Sequence, residues 1–126
     1  MIKGIGHAGI IVKNLDEAVD LYCDLFGLEK PSEVVERADE GMKHALINFG
    51  EQFFEVMEPF PGSSLAKFLE QHGEGLHHIN LMVSDMEPLV KSLKEKGAIL
   101  IERGPKFAFV HPKSTRGVLF ELMEQE

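Results

Sequence analysis

Residues 7–12 read HAGIIV and residues 78–83 read HINLMV, so two apolar stretches open with the same residue, a histidine. Each stretch is short and rich in aliphatic residues, which is typical of a β-strand. A second pair of matching stretches lies further along the chain, FEVME at 54–58 and FELME at 120–124. Two matched starts and two matched ends in the same order indicate an internal repeat.

A helix is predicted after each opening strand. Asn14 and Ser84 each have a glutamate three residues later, which is the pattern of a helix N-cap. Apolar residues then recur at the i, i+3, i+4, i+7 spacing of an amphipathic helix. Gly27 and Gly97 stand where the glycine that ends a helix is expected.

Each half of the repeat therefore reads as a strand, a helix and two or three further strands. The additional strand candidates are 42–49 and 107–110. A chain of 126 residues is expected to form one domain. The fold class predicted is α+β, with module 1 at about 4–60, a linking helix at about 63–73 and module 2 at about 75–125.

Strand parity places four polar side chains on the face opposite the aliphatic residues. Side chains alternate between the two faces of a sheet, so one face of each strand is aliphatic and packs on the helices. The opposite faces carry, at equivalent places in the two halves, His7, Glu55, His78 and Glu121.

Two imidazoles and two carboxylates suit a borderline divalent ion such as Co²⁺, Mn²⁺, Ni²⁺ or Zn²⁺. The two histidines make an all-oxygen Ca²⁺ or Mg²⁺ site a poorer match. A single strand histidine or glutamate is more often a surface or hydrogen-bonded residue. The metal hypothesis therefore depends on the four residues together.

Composition excludes several classes of protein. The net charge of −8 argues against non-specific nucleic-acid binding. No apolar run approaches the 18 or more residues of a membrane span, so no membrane partner is expected. The first residues lack the apolar core of a signal peptide, and the single Cys23 cannot form an internal disulfide. We therefore expect a cytoplasmic protein.

Basic residues concentrate late in the chain. Residues 91–116 contain seven Lys or Arg and only two Glu. This stretch is either a solvated helix face with loop charges or a site for an anionic small molecule, and charge alone does not decide between them.

With these residues in place, the chain resembles the vicinal oxygen chelate superfamily, which includes glyoxalase I, extradiol dioxygenases, bleomycin-resistance proteins and methylmalonyl-CoA epimerases. The most specific motif is HPKS at 111–114, followed by GVLFEL at 117–122. The resemblance implies two βαβββ modules whose sheets curl around a metal site. It also implies that the metal ligands come from the first and last strand of each module, namely His7, Glu55, His78 and Glu121.

Within the superfamily the chain is most similar to the methylmalonyl-CoA epimerases, through GHAGI at 6–10, LAKFL at 65–69 and GEGLHHI at 73–79. This similarity implies an isomerase that removes an α-proton from methylmalonyl-CoA, or a related acyl-CoA, through a metal-stabilised enolate. It also implies a homodimer.

The resemblance also suggests roles for individual residues. Glu121 corresponds to a metal-bound glutamate that transfers a proton. His44 falls where some epimerases have a second catalytic glutamate, and our hypothesis is that it is the partner of Glu121. Lys113 and Ser114 could hold the substrate carboxylate or the CoA phosphates.

Two departures from the epimerase pattern are visible. Some epimerases have glutamine where this chain has Glu55, and the segment 101–106 before HPKS is shorter than usual. One alternative is a glyoxalase I-type lactoylglutathione lyase, which shares the metal but binds glutathione adducts. The other is a metal-free small-molecule binding or resistance protein. A ring-cleaving dioxygenase is disfavoured, because Glu55 would be a fourth ligand in a site that needs open positions.

Overall fold

A computed structural model describes residues 1–125, which form three helices and eight strands. The strands are β1 Ile2–Ile11, β2 Val35–Arg37, β3 Met42–Phe49, β4 Gln52–Pro59, β5 Gly75–Val83, β6 Leu100–Glu102, β7 Phe107–Val110 and β8 Phe120–Glu124. The helices are α1 Leu15–Phe26, α2 Ser64–His72 and α3 Met86–Glu95, and two short 3₁₀ turns cover Ala38–Glu40 and Pro112–Ser114.

The strands form a mixed sheet in the order β2-β3-β4-β1-β5-β8-β7-β6. Strands β5 and β8 are parallel, whereas β2–β3, β3–β4, β6–β7 and β7–β8 are antiparallel. The expected α+β class with tandem strand–helix–strand modules is therefore confirmed. No helix among the described residues is long and apolar enough to cross a membrane.

The described chain divides into two compact units. The central unit comprises residues 8–77, and the terminal unit comprises residues 1–7 together with residues 78–125. Strand β1 contributes its first residues to the terminal unit and its last residues to the central unit.

In the central unit, helix α1 packs on the aliphatic face of β3 and β4. Their cluster of buried residues is Val12, Leu15, Val19, Cys23, Ala45, Ile47 and Val56. On the opposite parity, Met42 and Met57 pack with Ile11 and with the apolar side of α2. Both faces of this part of the sheet are therefore covered by helices.

The start of α1 follows the sequence prediction. The Asn14 side chain accepts a hydrogen bond from the Glu17 backbone N–H, as an N-cap does. The first N–H group of the helix, that of Leu15, donates to a carboxylate oxygen of Glu58 at 2.9 Å. The last glutamate of the FEVME stretch therefore helps to begin the helix of its own module.

In the terminal unit, helix α3 packs on β5, β7 and β8. The buried cluster there is Val83, Met86, Ala108, Val110 and Leu122. Among them, Val83 and Leu122 have the strand parity predicted to face the helix.

The predicted N-cap at Ser84 is wrong. Helix α3 begins at Met86, and its N-cap residue is Asp85, which makes no side-chain cap hydrogen bond. The Ser84 hydroxyl donates instead to the Met1 carbonyl oxygen at 3.2 Å. The first N–H group of the helix donates to Glu124 at 2.9 Å, so a carboxylate from a distant strand takes the role expected of Ser84.

Candidate metal centre

Two buried histidines of the terminal unit face each other across β1 and β5. His7 is 9% exposed and His78 is 4% exposed. Their Nε2 atoms are 3.1 Å apart, and the ring planes cross at 84°. Two imidazole nitrogens at this distance either share one proton or direct both lone pairs at a common cation.

Glu121 on β8 joins this pair. Its Oε1 lies 3.4 Å from His7 Nε2, and its Oε2 lies 3.5 Å from His78 Nε2. Ligand atoms that share one ion at about 2.0–2.2 Å are roughly 3.0–3.5 Å apart in octahedral or tetrahedral geometry. The three residues therefore fit a divalent ion in both donor chemistry and spacing.

Asn80, a residue that the sequence analysis missed, contacts Glu121 from the neighbouring strand β5. Its Nδ2 donates a hydrogen bond to Glu121 Oε1 at 2.8 Å, and Asn80 is only 2% exposed. The two residues are direct partners in the parallel β5–β8 register. One signal was available in the sequence, because Asn80 has the strand parity of His78.

Glu55 and His44 form a second buried contact, within the central unit. His44 Nδ1 lies 2.7 Å from Glu55 Oε2, and neither residue is more than 9% exposed. Strand β3 places His44 and Leu46 on the same face, and Leu46 is the register partner of Glu55 on β4. His44 therefore has a carboxylate as its immediate partner, which strand parity alone did not predict.

The predicted ligands are all buried, and they lie on β1, β4, β5 and β8. Among the described residues, the set of His7, Glu55 and His78 has the ligand types to bind a divalent metal ion. The remaining predicted ligand, Glu121, contacts both histidines as described above.

The two predicted substrate-binding residues lie on the exposed 3₁₀ turn Pro112–Ser114. The Ser114 hydroxyl oxygen accepts a hydrogen bond from the Ile99 backbone N–H at 2.8 Å, so it ties this turn to the segment before β6. The Lys113 backbone N–H donates to His111 Nδ1 at 3.0 Å, and the Lys113 side chain is exposed. Ser114 thus has a structural contact that the sequence did not predict.

Comparison with known proteins supports the fold and the class. A family model described as the Glyoxalase/Bleomycin resistance protein/Dioxygenase superfamily matches residues 6–114. The chain belongs to this superfamily, as its repeat, its matched His and Glu positions and its motifs predicted.

Within the superfamily, the chain is homologous to methylmalonyl-CoA epimerases. It is 35% identical to the mitochondrial methylmalonyl-CoA epimerase of Dictyostelium discoideum, over 98% of this chain and 80% of that protein. A glutamate-to-glutamine variant of the Streptomyces coelicolor enzyme, in complex with 2-nitronate-propionyl-CoA, has a TM-score of 0.86 at 27% identity and covers 99% of both chains. The Mycobacterium tuberculosis enzyme has a TM-score of 0.85 at 31% identity, covering 99% of this chain and 89% of that one.

Proposed function

We propose that this protein is a metal-dependent epimerase of methylmalonyl-CoA or a related acyl-CoA. The observation that carries the proposal is the convergence of His7, His78 and Glu121, whose ligand atoms are 3.1–3.5 Å apart. The similarity to epimerases along almost the whole chain supports the substrate class.

The proposed metal ligands are His7, Glu55, His78 and Glu121. Their mixed nitrogen and oxygen atoms suit Co²⁺, Mn²⁺, Ni²⁺ or Zn²⁺. When bound, such an ion supplies an electrophile for the negative charge that develops on the substrate's carbonyl oxygen as the α-proton leaves.

Inversion at the α-carbon requires one group to remove a proton and a second group to deliver one to the opposite face. We assign these roles to Glu121 and His44. Glu121 takes the α-proton on a carboxylate oxygen, and His44 delivers a proton from its Nε2 atom. One proton leaves and one arrives, so the substrate keeps its composition, and turnover in the reverse direction restores both groups.

The hydrogen-bond geometry of His44 is compatible with this role. Glu55 Oε2 engages Nδ1 at 2.7 Å, which favours the tautomer with the proton on Nδ1 and fixes the ring orientation. In this tautomer Nε2 carries no proton, so His44 must first take one up, and the resulting imidazolium delivers the proton from Nε2 while Nδ1 keeps its contact with Glu55.

Three further features belong to the proposal. Lys113 and Ser114 are proposed to bind an anionic group of the substrate, and the hydrogen bond that the Ser114 hydroxyl oxygen accepts from Ile99 holds the turn that carries both. The protein is proposed to act as a homodimer in the cytoplasm.

The deciding experiment is α-proton exchange of methylmalonyl-CoA in D₂O, followed by NMR. We expect fast exchange by Co²⁺-loaded protein, little by chelator-stripped protein, and a loss of about 10²- to 10⁴-fold in Glu121→Ala. Glu51→Ala, at an exposed turn, is the matched control and should exchange at the wild-type rate. Absence of exchange despite bound Co²⁺ would contradict the proposal, and isomerisation of a glutathione hemithioacetal by the same sample would favour the lyase alternative.

A matched pair of variants tests the role of His44. His44→Asn retains an N–H group close to the position of Nδ1, so it can still donate a hydrogen bond to Glu55. Its amide cannot act as an acid or a base, so it cannot deliver a proton to the substrate. His44→Ala loses both properties. We expect both variants to lose turnover while His44→Asn keeps the Co²⁺ affinity. If His44→Asn turns over at the wild-type rate, His44 is a positioning residue and another group delivers the proton.

A further inference from the structure

We infer that Asn80 is a positioning residue that fixes the carboxylate of Glu121 for metal binding, and that Gly6 is required because it leaves room for the Asn80 side chain. This inference rests on the proposed function to the extent that Glu121 is taken as a metal ligand. It concerns contacts within the terminal unit alone.

The contact between Asn80 and Glu121 has a defined direction. An ionised carboxylate only accepts hydrogen bonds, so the Asn80 amide must present its NH₂ group to Glu121 Oε1, 2.8 Å away. The amide oxygen, Oδ1, then points to the other side, towards β1. The orientation of the amide is therefore determined by Glu121.

Gly6 on β1 lies very close to this amide oxygen. A Cβ atom at residue 6 would overlap Asn80 Oδ1, and it would also lie 3.1 Å from Met82 Cγ. Gly6 has no positive φ angle, so its backbone conformation does not demand glycine. Space for the Asn80 side chain is thus the reason the structure gives for a glycine at this position.

The contact also determines how the carboxylate meets the two histidines. Each oxygen of Glu121 faces one imidazole nitrogen, Oε1 facing His7 and Oε2 facing His78. A carboxylate that is free to rotate about its last bond would hold this arrangement only part of the time. The hydrogen bond from Asn80 restrains that rotation, as hydrogen-bond partners of metal ligands commonly do.

The repeat shows that the hydrogen bond between Asn80 and Glu121 occurs in only one of its two halves. Because His7 corresponds to His78, the residue corresponding to Asn80 is Gly9, which has no side chain. The equivalent carboxylate, Glu55, has His44 as its partner instead. Asn80 is therefore not explained by the βαβββ pattern itself.

The test measures Co²⁺ binding by calorimetry and by the visible absorption spectrum of the bound ion. The variants are Asn80→Ala, Gly6→Ala and the double variant, and the control is Asn48→Ala, which removes an exposed strand asparagine. Thermal melting of the metal-free proteins separates loss of fold from loss of positioning. A purely structural role would lower the melting temperature and leave the Co²⁺ affinity and spectrum of the folded protein unchanged.

We expect Asn80→Ala and Gly6→Ala each to weaken Co²⁺ binding by about 10- to 100-fold and to alter the spectrum in the same way. In the double variant, the Gly6→Ala change should cost little further, because the Asn80 side chain is gone and the flexible Met82 side chain needs to shift only slightly. The double variant should therefore match Asn80→Ala within about twofold, the ordinary error of such a cycle.

Each outcome has a distinct meaning. Wild-type affinity and spectrum in Asn80→Ala would overturn the inference and leave the proposed function intact. Fully additive losses would overturn the role assigned to Gly6. Absence of Co²⁺ binding by the wild-type protein would overturn the proposed function and this inference with it.

Discussion

Glu55 and Glu121 occupy the same place in the two halves of the repeat, yet different kinds of side chain hold them. Glu121 accepts a hydrogen bond from the amide of Asn80, which carries no charge and does not act as an acid or a base near neutral pH. Glu55 contacts the imidazole of His44, which can gain or lose a proton. The repeat has kept the carboxylates and changed their neighbours.

Strand register shows where the difference arises. Leu46 is the partner of Glu55 on β3, and Phe109 is the partner of Glu121 on β7. Two positions before these partners stand His44 in one half and Phe107 in the other. The position that carries an imidazole in the central unit therefore carries a phenyl ring in the terminal unit, so the two carboxylates have chemically different neighbours.

The largest expected effect tests that difference directly. Glu121→Gln should lower epimerase turnover by about 10²- to 10⁴-fold, because an amide cannot accept the α-proton. Glu55→Gln should retain most of the turnover, since glutamine keeps an oxygen that can act as a ligand. Proton exchange of methylmalonyl-CoA in D₂O measures both variants. Equal losses of turnover in the two variants would mean that the two carboxylates have the same chemical role.

The next largest effect concerns the faces of the sheet. Ile47 is fully buried against α1 and Leu122 is 2% exposed against α3, so truncation of either to alanine should lower the free energy of unfolding by about 2–5 kcal/mol. The matched control is Leu46→Ala, on the face opposite Ile47 and 36% exposed, which should cost about 1 kcal/mol or less. Urea unfolding measures all three, and a Leu46→Ala loss as large as that of Ile47→Ala would contradict the assignment of faces.

A smaller effect is expected from removing the carboxylate that accepts a hydrogen bond from the first turn of α3 or of α1. Glu124 accepts from the first N–H group of α3, whose N-cap residue makes no side-chain bond, whereas α1 has both Glu58 and Asn14. We expect Glu124→Ala to lower the free energy of unfolding by about 1–2 kcal/mol and Glu58→Ala by less. Urea unfolding provides the comparison. Glu124→Gln, which retains an acceptor oxygen, is the control and should fall between Glu124→Ala and the wild type.

These contacts also show what the sequence could predict. The strands, the aliphatic faces and the placement of the predicted ligands on the opposite faces follow from local patterns, because alternation along a strand and spacing along a helix depend on neighbouring residues. The contact between Asn80 and Glu121 joins residues 41 positions apart, and the contact between Met86 and Glu124 joins residues 38 apart. Both depend on the register between strands or between a strand and a helix, which local patterns do not specify.

The misplaced N-cap illustrates the same limit and gives the smallest effect. Asn14 and Ser84 have the same sequence pattern, but only Asn14 accepts a hydrogen bond from its helix, whereas Ser84 donates to the Met1 carbonyl oxygen. Asn14→Ala should therefore lower the free energy of unfolding by about 1 kcal/mol, and Ser84→Ala should change it by less than about 0.5 kcal/mol.

Urea unfolding of the two alanine variants decides this comparison, with Asn14→Gly as a control. Glycine is tolerated at an N-cap, so that variant should lose only a few tenths of a kcal/mol. A Ser84→Ala loss equal to that of Asn14→Ala would mean that the serine does cap α3 in solution. Glu124 would then be a second contact at that helix start, and the first turns of the two helices would be alike after all.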